Sequence, residues 1–135
     1  MESNLYHYKV KEVVKVIDGD TVELLIDLGL NTFAKIRARL LGVDTPEIFH
    51  PKTPKEKEAG IACKEFLKSI ISAYPTLIVK THKDRKGKYG RYLVEIYGLN
   101  PLSDKWDNLN KLIKEFMRAN HLTKKEVRSE RSKNS

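Results

Sequence analysis

Three carboxylates in the first half of the chain, Asp18, Asp20 and Asp44, sit beside short backbone turns, and a fourth, Glu47, follows closely. Asp18 and Asp20 flank Gly19, while Asp44 and Glu47 lie three residues apart across Pro46. Oxygen-only ligands on loops suit a hard cation such as calcium or magnesium. Taken alone, Asp18-Gly19-Asp20 is equally a common turn whose aspartates cap their own backbone. Arg37 and Arg39 are two apart in a strand-like stretch, so both project from one face. Arg91 opens another such stretch. Guanidinium groups fork onto phosphate oxygens, although a solvated strand face explains any one of these arginines by itself. A hard cation beside phosphate-gripping arginines is the chemistry of phosphodiester hydrolysis.

The rest of the sequence must position these groups and attract a polyanion. In 135 residues there are 26 Lys and Arg against 18 Asp and Glu, a formal charge of +8. That excess points to nucleic acid ahead of an anionic membrane surface. The length fits one domain. No apolar run approaches the roughly 18 residues needed to span a bilayer. The N-terminus shows no signal-peptide pattern, which favours a cytoplasmic protein, or a secreted one if a signal has been removed. The single cysteine, Cys63, cannot form an internal disulfide and reads as a core thiol. Zinc spacing, a Walker loop and a dinucleotide fingerprint are all missing.

Alternating patterns over residues 9–41 predict a three-stranded meander, with Val10, Val14 and Val16 on one face of its first strand and an irregularity at Glu12. Three prolines, Pro46, Pro51 and Pro54, keep the next segment a loop. An apolar stripe from Ala59 to Ile71 predicts a helix over 56–73, ended by Pro75. Strands are expected over 76–82 and 91–97, around a basic hairpin at 83–90. Residues 98–107 read as irregular, with Trp106 anchoring them to the barrel. A second amphipathic helix is predicted over 108–120. Thr123 to Glu126 has the form of a capping box opening a short charged segment. The order of three strands, helix, two strands and helix is that of a β-rich α+β protein. Its architecture is an OB-fold five-stranded Greek-key barrel, with one helix between the third and fourth strands and a helix at the C-terminal end.

Three motifs occur in register: Ile17-Asp18-Gly19-Asp20-Thr21, Arg39-Leu40-Leu41-Gly42-Val43-Asp44-Thr45-Pro46-Glu47, and Lys88-Tyr89-Gly90-Arg91. On these the sequence resembles the staphylococcal nuclease (thermonuclease) family over residues 9–97, and more loosely over 108–119. The resemblance implies an OB-type barrel over residues 1–121, followed by a charged, partly disordered tail over 122–135. It implies calcium-dependent hydrolysis of phosphodiesters in DNA, RNA or both, with one Ca2+ ion as cofactor. Asp20 and Asp44 match the family's calcium-binding aspartates, and Thr45 a residue that ligates through its backbone carbonyl. Asp18 matches an aspartate acting through metal-bound water. Glu47 matches the proposed general base, while Arg39 and Arg91 match the arginines that grip the scissile phosphate. Lys88 and Tyr89 match residues that contact a terminal phosphate. The partner implied is nucleic acid, with no membrane and no obligate protein partner, on a monomer.

The sequence departs from the family pattern after Tyr97, its last tyrosine. Phe116 and Arg118 stand where the family usually has Gly and Ala, and Gly87 where it often has Asp. These departures leave the implied catalytic set whole. The alternative reading is an OB-fold module that binds nucleic acid without cleaving it.

Overall fold

The computed structural model describes residues 6–82 and 91–133; the basic hairpin lies outside these. Strands β1 (His7–Asp18), β2 (Thr21–Gly29) and β3 (Thr32–Leu40) form the meander. Helix α1 (Pro54–Ala73) follows, then β4 (Leu77–His82), β5 (Arg91–Leu99) and β6 (Trp106–Asn108). Helices α2 (Leu109–Ala119) and α3 (Lys124–Lys133) complete the chain. The strand order is β3-β2-β1-β4-β5-β6, and β3 also pairs with β5 in parallel. That last pairing closes a five-stranded mixed barrel of OB type. β3 takes the first part of one β5 edge, and β6 extends the same edge at the other end.

Alternation explains the barrel interior. In β2, Val22, Leu24 and Ile26 are buried; in β3, so are Ile36, Ala38 and Leu40, leaving Arg37 and Arg39 on the outer face. Cys63, Leu67 and Ile71 from α1 close one end of this core, joined by Leu109, Ile113 and Met117 from α2. Each fully buried aliphatic side chain contributes about 1.5–3 kcal/mol. Cys63 is the expected core thiol, and burial, followed by the Asp20 charge, pushes its pKa up to about 12. Phe66 of α1 stacks on Phe116 of α2 with ring centroids 4.1 Å apart. Phe116 thus fills the interface between the two helices with a large ring where the family usually has a glycine.

Two expectations are corrected. β1 does not keep one alternating face. Its register against β2 shifts between Val10 and Glu12, Val13 and Lys15, and Val16 and Asp18. Each extra residue inverts the pattern, so Val14 is 40% exposed and Ile17 is buried beside Val16. Residues 106–108, expected as irregular, form β6. Trp106 is 45% exposed and its segment is held by backbone pairing to Leu99, not by an indole anchor. The charged segment after residue 122 carries α3. Thr123 caps its start: the Glu126 N–H donates to Thr123 Oγ1 at 3.2 Å, while the Glu126 carboxylate accepts the Thr123 hydroxyl at 2.8 Å in place of the backbone N–H of a full capping box. Val127, one of the few apolar residues in the segment, is buried.

Candidate functional site

The site forms where the β1–β2 turn meets the loop after β3. Gly19 makes this approach possible. A Cβ there would lie 2.7 Å from Cys63 Cβ and 2.8 Å from Thr45 Cγ2. The turn is therefore pressed against both α1 and the loop. Gly60 does the same for α1, since a Cβ there would lie 2.6 Å from the Pro46 carbonyl oxygen. Any larger residue at either position would push these segments apart.

Asp20 is buried, and each of its oxygens is engaged. The Thr45 N–H donates to Oδ2 at 3.0 Å, the Thr21 hydroxyl donates to Oδ1 at 2.9 Å, and Arg39 Nη2 approaches Oδ2 at 3.3 Å. The same Arg39 nitrogen lies 3.4 Å from Asp44 Oδ1 and donates to the Val43 carbonyl at 3.0 Å. Arg39 thus bridges the two aspartates, while its buried Nε has no hydrogen-bond partner among the described residues. Thr45 is buried next to Asp20. Asp18 accepts the Asp20 N–H at 3.1 Å. Burial, then a hydrogen bond to Asp20 and the charge of that neighbour, raises the Asp18 carboxyl to about pH 7. Asp20 moves the other way. Burial opposes its ionised form, but the hydrogen bond from Asp18, the Arg39 charge and the Thr45 N–H outweigh it and lower its pKa. Of the pair, Asp18 is therefore the one that takes up a proton first as pH falls.

Two residues that the sequence reading left out hold the loop. Glu56, in the first turn of α1, is fully buried. It accepts the Lys52 N–H at 2.9 Å and the Glu47 N–H at 3.2 Å, and Arg128 of α3 forks onto it at 3.1 and 3.4 Å. Burial works against its charge, yet the backbone donors and Arg128 lower its pKa. Its sequence signal is Thr53-Pro54-Lys55-Glu56, a helix start with proline at the first turn. The Thr53 hydroxyl accepts the Glu56 N–H at 3.0 Å, but the Glu56 carboxylate reaches past Thr53 to the loop. Lys124 is the second. Its ammonium donates to Asp44 Oδ1 at 2.8 Å and to Glu47 Oε1 at 3.3 Å. Burial alone would lower its pKa; the hydrogen bonds and charges of Asp44 and Glu47 raise it instead. No short-range signal ties Lys124 to residues nearly eighty positions earlier.

Asp20, Asp44, Thr45, Glu47 and Arg39 are thus brought together. Arg91 begins β5, with its Cα paired to that of Arg37; its side chain, and all of Lys88 and Tyr89, lie outside the described residues. Among the described residues no three His, Cys, Asp or Glu side chains converge as a metal cage. The donor chemistry of Asp20 and Asp44 nevertheless fits a hard cation. Both carboxylates face one point that already holds positive charge, the Arg39 nitrogen. With the Thr45 carbonyl they would make a sparse, open oxygen site.

A family model described as staphylococcal nuclease homologue matches residues 37–134. An uncharacterized protein of Methanocaldococcus jannaschii is 37% identical over 107 residues, covering 67% of this chain and 49% of that protein. A thermonuclease of Staphylococcus intermedius is 37% identical over 103 residues, covering 76% of this chain and 54% of its own. An endonuclease of Bacillus subtilis is 31% identical over 88 residues, covering 62% of this chain and 7% of its own. The chain therefore spans about half the length, or less, of these curated relatives.

Proposed function

The chain belongs to the staphylococcal nuclease family, and from that premise we propose that it is a calcium-dependent nuclease hydrolysing phosphodiester bonds of DNA, RNA or both. The observation that carries the proposal is the convergence of Asp20 and Asp44 on one nitrogen of Arg39, with Glu47 joined to Asp44 through Lys124. Relatives bearing the names thermonuclease and endonuclease support the same chemistry.

In this reading Asp20, Asp44 and the Thr45 carbonyl hold the ion. Bound there, calcium would neutralise phosphate charge and favour ionisation of a nearby water. Glu47 orients the attacking water and takes its proton. The water oxygen bonds to phosphorus, the opposite P–O bond breaks, and the leaving oxygen gains a proton from solvent. Arg39 turns its guanidinium to the equatorial phosphate oxygens, where charge accumulates in the transition state. Such a turn would also give its unpaired Nε an acceptor. Arg91 supplies the second guanidinium, and Lys88 and Tyr89 contact the terminal phosphate. Asp18 acts behind Asp20, through water bound to the ion, and its higher pKa leaves the charge of the pair on Asp20.

Replacing Glu47 with Gln tests the assignment. The variant keeps the shape and loses the base, so cleavage of single-stranded DNA should fall by about 10²–10⁴-fold with an unchanged circular dichroism spectrum. Cleavage at the parental rate would refute the role. The Lys124 bridge favours one other reading, a nucleic-acid-binding module with neutralised carboxylates. In that case the parent protein would bind DNA but not cut it.

A further inference from the structure

We infer that Lys124 is an internal cation that competes with the divalent ion for Asp44, so that α3 sets the metal affinity of the site. The inference rests on the calcium reading above and deepens it. Three observations support it. The ammonium lies 2.8 Å from Asp44 Oδ1 and 3.3 Å from Glu47 Oε1. It is more enclosed than its partners, with the Lys124 side chain 22% exposed against 62% for Asp44 and 41% for Glu47. It is also delivered by a fixed element. The Thr123 cap starts α3, Val127 is buried, and Arg128 is forked onto the buried Glu56, one turn of helix away. Lys124 is thus held at the carboxylates by its helix and is not a surface lysine that happens to swing there.

The consequence follows from charge and from shared acceptors. Asp44 Oδ1 already receives both Lys124 and Arg39. A divalent ion that takes Asp44 through Oδ1 must displace the ammonium, and one that takes the other carboxylate oxygen still meets that positive charge close by. A chain lacking that charge should bind the ion more tightly. Glu47 would lose its tether at the same time, so metal affinity and turnover need not move together.

The experiment is calcium titration of the full chain by calorimetry, without substrate, for the parent and for Lys124→Met, Lys124→Gln and Lys124→Arg. Two partly exposed ion pairs predict about tenfold tighter calcium binding for Met and Gln, with Arg close to the parent. Thermal unfolding of each variant identifies those that are folded, and the Met and Gln forms stand in for one another. Equal or weaker binding by the folded uncharged variants would overturn the inference and leave the calcium reading standing. No heat of binding in the parent or in any variant would overturn both.

Discussion

At the scale of single residues, the arrangement depends on one absent side chain as much as on those present. Gly19 lets the turn that carries two aspartates sit against Thr45 and Cys63 at once. Adding a methyl group there places it 2.7 Å from Cys63 Cβ, an atom fixed to the α1 backbone. Neither neighbour is the far end of a flexible chain, so the turn itself must move. Gly19→Ala should therefore cost about 1–3 kcal/mol in urea unfolding, and it should weaken the site by shifting Asp18 and Asp20. A stability within a few tenths of a kcal/mol of the parent would contradict this packing account. The motif Asp18-Gly19-Asp20 is plain in the sequence, but only the fold shows why glycine is required between the two carboxyls. The division of labour inside the pair is equally invisible in the sequence. It arises because Asp20 has Arg39 and two neutral donors, whereas Asp18 has burial and a charged neighbour.

The elements reach the site by different routes, and this decides how much of each could be read in advance. Over residues 22–26 and 36–40, strands β2 and β3 bury every second residue, so these residues and the outward direction of Arg37 and Arg39 follow from alternation. The register shifts in β1 break that period; the irregularity at Glu12 marks the first of them, but no local signal marks the two that follow. β6 has only three residues and owes its existence to the β5 edge left free beyond β3. Glu56 and Lys124 act across loops, through partners 72–80 residues apart in the Glu56–Arg128 and Asp44–Lys124 pairs. Such pairings are a property of the closed fold.

Glu56 also makes a prediction for its element. Its pKa is lowered in the folded protein, so its contribution to stability is full well above its ordinary value of 4.5 and is lost as pH falls through the folded value. Glu56→Gln removes the charge that receives Arg128 and two backbone N–H groups. We expect it to lower unfolding free energy by about 1–3 kcal/mol at pH 7. The gap to the parent should narrow as pH drops below about 4.5. Urea unfolding at pH 7 and pH 3.5 checks both. A gap that stays constant over this range would show that the carboxylate charge is not what holds the loop to α1 and α3.

For the molecule as a whole, a closed barrel supplies rigidity and a charge of +8 supplies attraction for a polyanion. Within that positive field the barrel gathers Asp20, Asp44 and Glu47 at one end, and it balances them with Arg39 and Lys124. On the proposed function, this local negative charge would draw in a small hard cation, and the surrounding field the phosphate chain. The central claim is that this combination cuts phosphodiester bonds only when the cation is bound. Incubating the purified protein with single-stranded DNA in calcium, with and without excess chelator, tests it most directly. The account predicts cleavage in calcium that stops when the chelator is added. Cleavage that continues in chelator, or salt-sensitive DNA binding with no cleavage in calcium, magnesium or manganese, would contradict it.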